Sequence, residues 1–531
     1  MVTQLRPRDA SDANDMTVLT LTRDPRGLGL VQSSTNTTTT AVQSSVDEAL
    51  GYNGFAEVSR YAAKTGASTW LRINRPADAA NGLLRDSLGR ITSREDTIVA
   101  AGGLAAATTR WDYTYDDRGR LATATKNSSA ATTYTYDPNG NRTGPVVAHY
   151  DPQDRMTDLG GVARTYTNNG SLATRGSEAF TYDLSGNLRK WVSGGTTIEY
   201  LIDGQNRRVG KKRNGTLETI WLYDDQLRLA AQLNGAGHVR QVFYYSGQSR
   251  TPELVFQPDA TPAVTGGGRW FRLVSDLNGS LRLVLDISGT TPTVRQRADY
   301  DPWGVVTAEW VDTTGGYERV PFGFAAGLLD TDTALVRFGA RDYEPAAGRW
   351  TAKDPIRFGG GLNLSGYSGN DPVNRIDPSG LDPEGAKAGA FVGGLICGAV
   401  GAYYGVGAGA AGGAFAGGGV GAFPGGVAGG LAGGAGGAAA GAAGGAIIGD
   451  LLGDALKRLR NLLSDNPTDD DPTVDTNTET RDQECSRRAQ DLYDSLIASG
   501  KSEAEARRLQ RAYWVACMGG RHKPPFWPGS P

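Results

Sequence analysis

Five short stretches of this chain share one grammar, and their repetition restricts the fold more than any other feature. They are "WDYTYDDRGRLATAT" (111–125), "TTYTYDPNGNRTG" (132–144), "EAFTYDLSGNLRKW" (178–191), "IEYLIDGQNRRVGKK" (198–212) and "IWLYDDQLRLAAQL" (220–233). Aromatic and polar residues alternate, an Asp follows, then a Gly- or Asn-rich turn, then a Leu or Val that leads a second alternating run. Asp116 and Asp137 are 21 residues apart, Asp183 and Asp203 are 20 apart, and Asp203 and Asp224 are 21 apart. A period of that length, with turn residues at fixed offsets, predicts a repeated β-hairpin. In "YTYD" the two Tyr side chains fall on one face and Thr on the other, because strand side chains alternate. The tyrosines read as the packing stripe of each hairpin. A carbohydrate-binding groove, in which exposed aromatics stack on sugars, is the alternative.

Length and composition bound the rest. At 531 residues the chain exceeds what one core requires, so two or more structural units are expected. A formal net charge of -3 gives no reason to expect a nucleic-acid surface. The only histidines are His149, His238 and His522, which argues against a His-rich metal centre and leaves few candidates for a His-based triad. No cofactor is implied. Cys397, Cys485 and Cys517 all follow residue 381, so no disulfide framework holds the repeats. The N-terminal "MVTQLRPRDASDAND" has no apolar run behind its charges and reads as the start of a C-terminal portion rather than as a secretory signal.

From 299 to 381 the period is lost, and Pro, Gly, Asp and aromatic residues become dense: "DYDPWGVVT", "ARDY", "KDPI" and finally "NRIDPSGL". This segment resembles the RHS repeat-associated core, and the hairpins before it resemble RHS/YD repeats, a family that takes in polymorphic toxins, Tc toxin C subunits and teneurin YD shells. The resemblance covers about 70 per cent of the chain, its most specific part being the 80-odd residues of the core. It implies an all-β fold in which YD hairpins spiral into a hollow shell around a polypeptide released from the C-terminus, with the core as a plug at one end.

The core also holds the candidate chemistry. Asp354 and Asp377 lie 23 residues apart, and Arg341 lies 13 before Asp354. Read from the residues alone, both Asp-Pro pairs are turn residues. Two carboxylates brought together can nevertheless share one proton, one as general base on a water and the other as general acid, with a guanidinium to hold one of them ionised. The resemblance implies the second reading. Asp354 and Asp377 become a catalytic pair supported by Arg341, and single-turnover scission falls between Leu381 and Asp382. Ser365 and Glu344 stand where the family usually has Tyr and often has Asp.

Residues 382–531 differ in kind. Ala388 to Gly449 contains no charged residue in 62 positions, 45 of them Gly or Ala. Such a segment is long enough for two membrane-spanning helices, whose small residues would pack closely. The alternative is low-complexity chain, since glycine this dense is costly in a helix. A cationic amphipathic stretch and an acidic linker occupy 451–480. The tail, 481–531, reads as a helical hairpin: Cys485, Ala489, Leu492, Tyr493 and Leu496 share one face, and Ala506, Leu509, Tyr513 and Cys517 share another. Gly500 suits a C-cap, and Ser502 with Glu505 a capping box. Cys485 and Cys517 are placed either to form a disulfide across the base of the hairpin or to remain buried thiols.

The expected organisation is an irregular start (1–19), YD/RHS repeats (20–298), the RHS core (299–381), a Gly/Ala-rich segment (382–450), the cationic helix and acidic linker (451–480) and the tail (481–531). The expected function is a toxin-like shell that encloses and cuts off its own C-terminal segment as cargo. An immunity protein and a target membrane are the implied partners, and the full-length protein is expected to be secreted or cell-surface associated. The rival expectation is a non-enzymatic adhesion or carbohydrate-binding module, or a decayed fragment of an RHS protein. No catalytic signature is visible in the tail.

Overall fold

Asp116 shows how one repeat closes on itself. Its backbone N–H donates to the Arg120 carbonyl (2.9 Å), and the Gly119 N–H returns to the Asp116 carbonyl (2.9 Å). Its Oδ1 accepts the N–H groups of Arg118 and Arg120 (3.0 and 2.9 Å), while Oδ2 accepts Arg120 Nε (2.7 Å). A short acceptor side chain is what this turn needs, because it replaces the carbonyls that the bend takes away. Gly119 sits at φ 80°, where a Cβ would be strained. The same bonds recur at Asp86, Asp151 and Asp203, each with Arg four residues on. After Asp137 and Asp183 an Asn takes the place of that Arg.

The tyrosines before Asp116, Asp137 and Asp224 tie one hairpin to the previous one. Tyr115 donates its hydroxyl to the Ile91 carbonyl (2.6 Å), Tyr136 to Leu121 (2.7 Å) and Tyr223 to Arg208 (2.9 Å). The Arg of the preceding turn lies over the same ring: Arg90 over Tyr115 at 4.5 Å, Arg120 over Tyr136 at 4.3 Å and Arg207 over Tyr223 at 5.2 Å. A hydroxyl bond and a cation–π contact together set the stacking register of successive repeats. The other tyrosine of each "YTYD", Tyr113 or Tyr134, is buried in the hydrophobic core, and the intervening threonines pair on the exposed face, Thr114 with Thr123 and Thr135 with Thr143. These rings are packed within the sheets rather than presented as a groove.

The computed structural model describes residues 44–55, 57–74, 83–224, 227–245, 250–258 and 268–381, and the backbone of strands Val2–Leu5, Thr17–Arg23, Val31–Thr38 and Ala386–Lys387. All belong to the first of two units, Met1–Arg458. The Gly/Ala segment, the cationic stretch, the Cys485–Cys517 hairpin and Asp382 lie outside the described residues.

Among the described residues the strands form two large antiparallel sheets, as the repeats predict. The first has 11 strands, from Val2–Leu5 to Thr132–Thr133, and the second has 16, from Ala148–Tyr150 to Val306–Val311. Neighbours in sequence are neighbours in the sheet almost throughout, the signature of stacked hairpins. The sheets share a hydrophobic core, in which Tyr61, Leu71 and Ile73 of the first meet Leu254, Trp270 and Leu283 of the second. The core segment adds a four-stranded sheet, Leu328–Asp330, Leu335–Phe338, Arg341–Glu344 and Arg349–Trp350. Finally, Arg375–Ile376 pairs with Ala386–Lys387, so the chain on either side of residue 381 folds back on itself.

Candidate active site

The strand Arg341–Glu344 puts Arg341 beside the "DPSGL" turn. Gly380 takes φ 68°, and an added Cβ there would lie 2.8 Å from the Phe338 carbonyl oxygen. Glycine is therefore required both for the turn and for the close approach of the two backbones. The Ala340 N–H donates to the Ser379 carbonyl (2.9 Å), locking the turn against the sheet.

Arg341, Asp354 and Asp377, separated in sequence, meet here. One guanidinium nitrogen, Nη2, contacts Asp354 Oδ2 at 2.8 Å and Asp377 Oδ2 at 3.2 Å, so the two carboxylates are no further apart than the sum of those distances. All three are buried, at 2, 4 and 0% exposure. Arg341 Nε donates to the Gly380 carbonyl, Nη1 reaches the Leu364 carbonyl at 3.4 Å, and the guanidinium lies over Trp350 at 4.2 Å from the ring centre. Asp377 Oδ1 accepts the Ser379 hydroxyl (3.0 Å) and the Leu381 N–H (3.1 Å), and Leu381 N–H also reaches Ser379 Oγ at 3.1 Å. Asp377 thus accepts on both oxygens. It also holds the amide of Leu381, the residue whose following peptide bond was singled out in the sequence.

Burial dominates the electrostatics of Asp354. Burial pushes the Asp354 carboxyl above its ordinary range, and Arg341 offsets this only in part. The physical reason is desolvation, since a buried carboxylate loses its hydration and the shared guanidinium restores only part of that loss. Burial also lowers Arg341, against the pull of Asp377 and Asp354.

Glu344, noted in the sequence only as a departure, proves to be a buried anchor. It takes a two-pronged contact from Arg164 (2.7 and 2.8 Å) and a third bond from Arg175 (3.1 Å). Asp342, which sequence reasoning passed over, accepts Arg208 (2.8 Å) and Arg337 (3.0 Å). The partners from the repeats are 180, 169 and 134 residues upstream, so no local spacing could have signalled them. Ser365 contributes its carbonyl to the Trp350 N–H (2.9 Å). Among the described residues, no three His, Cys, Asp or Glu side chains gather as a metal site, and no helix is long and apolar enough to cross a membrane.

Comparison with known proteins agrees with this architecture. The Teneurin YD-shell family model matches residues 29–373. Teneurin-3 of Danio rerio is 31% identical over 314 residues, covering 55% of this chain and 11% of that protein. A double-stranded DNA deaminase toxin A of Burkholderia cenocepacia (strain H111) is 26% identical over 323 residues, covering 51% of this chain and 22% of the toxin. Among solved structures, a Photorhabdus luminescens Tc holotoxin pore aligns with a TM-score of 0.50 and 17% identity over 74% of this chain and 22% of that one, a likeness of fold alone. The chain therefore spans 11% of the teneurin and 22% of the toxin. Tyr-Asp hairpins stacked through Tyr hydroxyls, two large antiparallel sheets and a family match over residues 29–373, more than half the chain, show that this protein belongs to the teneurin YD-shell family of RHS/YD-repeat proteins.

Proposed function

We propose that this protein is a toxin-like RHS shell that encloses its own C-terminal segment and cuts it free after Leu381. The observation that carries the reading is the single Arg341 nitrogen shared by Asp354 and Asp377, with Asp377 also bonded to the Leu381 amide. In the proposed reaction Asp377 takes a proton from a water whose oxygen attacks the Leu381 carbonyl carbon. The C–N bond to Asp382 then breaks as Asp354 gives its proton to the departing nitrogen. The products are a Leu381 carboxylate and an Asp382 amine, and no cofactor enters the balance. The toxin among the relatives supports an effector as cargo, and both toxin and teneurin relatives support a place of action outside the producing cell.

Intact mass of the purified full chain tests this. The parent is expected as two species divided after Leu381, and Asp354→Asn and Asp377→Asn as single uncut chains. A folded parent that stays whole removes the reading and favours adhesion.

A further inference from the structure

The strand that carries Arg341 is charged at three of its four positions, and all four residues are buried. Arg341 faces the two aspartates, and Tyr343 packs 4.3 Å from Tyr367 in the aromatic cluster beneath them. Asp342 and Glu344 alternate with these residues and reach instead into the repeats. Glu344 binds Arg164 of strand Val162–Tyr166 and Arg175 of strand Leu172–Arg175. Asp342 binds Arg208 of strand Arg208–Arg213 and Arg337, which in turn donates to the Asn187 side chain (2.7 Å) and the Asn206 carbonyl (3.0 Å) of two repeat turns.

A carboxylate placed at this depth without its partner is strongly unfavourable, and a pair broken on one side leaves an uncompensated charge. Asp342 and Glu344 therefore cannot take these positions until the strands between 162 and 213 have packed against the core. The Glu344 carboxyl remains below its ordinary range: burial, the largest influence, raises it, but Arg164 and Arg175 overcome that. It is thus held as an anion by the repeats.

We propose that Asp342 and Glu344 are positioning residues that make assembly of the Arg341–Asp354–Asp377 cluster conditional on docking of the repeat strands 162–213, so that the chain is cut only once that part of the sheet has folded. The proposal rests on the self-cleavage reading for its consequence, but its structural step can be measured separately.

The test uses the full chain. Cleavage rate is followed by intact mass after refolding, and exchange of the Leu381 amide is followed in an uncut Asp354→Asn background. Glu344→Gln and Arg164→Gln are each expected to slow cleavage about 100-fold, the scale of a small misplacement of catalytic groups, in chains that keep the parent's circular dichroism. Combined, they should slow it no further than the worse single change, because both remove one interaction. Glu344→Asp should recover part of the rate, and in the uncut background Glu344→Gln should speed Leu381 amide exchange. A folded Glu344→Gln chain that cleaves at the parent rate, or a double variant whose loss is the product of the singles, overturns the proposal. Should Glu344→Gln fail to fold, Arg175→Lys decides, and a parent-like rate there counts against coupling. If the parent never cleaves, the proposed function fails, and Leu381 exchange still decides whether the repeats position the site.

Discussion

At the scale of single residues, the candidate site is a problem in charge balance. Arg341 meets two acids with one positive charge, and Asp377 takes two further hydrogen bonds from Ser379 and Leu381 while Asp354 takes one, from the Ile356 N–H. Burial raises the Asp354 carboxyl, which is why the proposed reaction uses it as the acid. A carboxyl raised in this way stays protonated to a higher pH than an ordinary Asp, near 4. As a proton donor it is competent below its folded value and loses competence as pH rises through it. Self-cleavage is therefore expected to fall about tenfold per pH unit once pH rises through that folded value. The check is the rate of appearance of the cut species in parallel buffers. A rate that rises with pH through the same window would reverse the assignment of acid and base.

At the scale of the hairpin, the Asp of each repeat is the residue that closes the turn. Replacing Asp116 by Ala removes the acceptor for two backbone N–H groups and the partner of Arg120, which then loses its hold over Tyr136. A loss of about 1–3 kcal/mol is expected, read as a lower urea midpoint. For Asp86, Asp116 and Asp151 burial is the largest influence and raises the carboxyl, yet bonds from the Arg and the backbone outweigh it and leave each below its ordinary range. A depressed acid contributes stability above its unfolded value and loses it as pH falls through the folded one. These three turns should thus weaken together below about pH 4, and Asp116→Ala should flatten part of that acid limb. The Tyr-Asp-turn period made the hairpins legible in the sequence, because Asp, Gly and alternation act locally. The Tyr-to-carbonyl ladder was not legible, since it joins one repeat to the backbone of another. The same distinction divides the site. Arg341, Asp354 and Asp377 were singled out through a family motif, whereas Asp342 and Glu344 look like ordinary strand polars until their partners fold in from more than a hundred residues away.

At the scale of the molecule, the two large sheets are joined by buried charge as well as by apolar packing. Arg282 of the second sheet reaches Asp96 of the first at 3.1 Å. Arg272, fully buried in strand Gly268–Ser275, bridges Glu253 (2.8 Å) and Glu48 (3.0 Å), and Glu48 belongs to strand Asp47–Tyr52 of the first sheet. The groups facing Glu48 are Arg272, Glu253 and Tyr61. Burial, aided by repulsion from Glu253, outweighs the attraction of Arg272 and raises Glu48 to about 7. An acid raised above its unfolded value contributes stability that is complete below that value and is lost as pH climbs through the folded one. Between pH 5 and pH 8 this group should cost the junction on the order of 3 kcal/mol, opposite in sense to the acid limb of the turns. The parent is therefore expected to be most stable in mild acid, where Glu48 is neutral and Asp86, Asp116 and Asp151 are charged. Glu48→Gln keeps the shape and removes this titration, so its melting temperature should fall less from pH 6 to pH 8 than that of the parent. If both fall alike, the alkaline loss arises elsewhere and Glu48 does not govern how firmly the two sheets hold together.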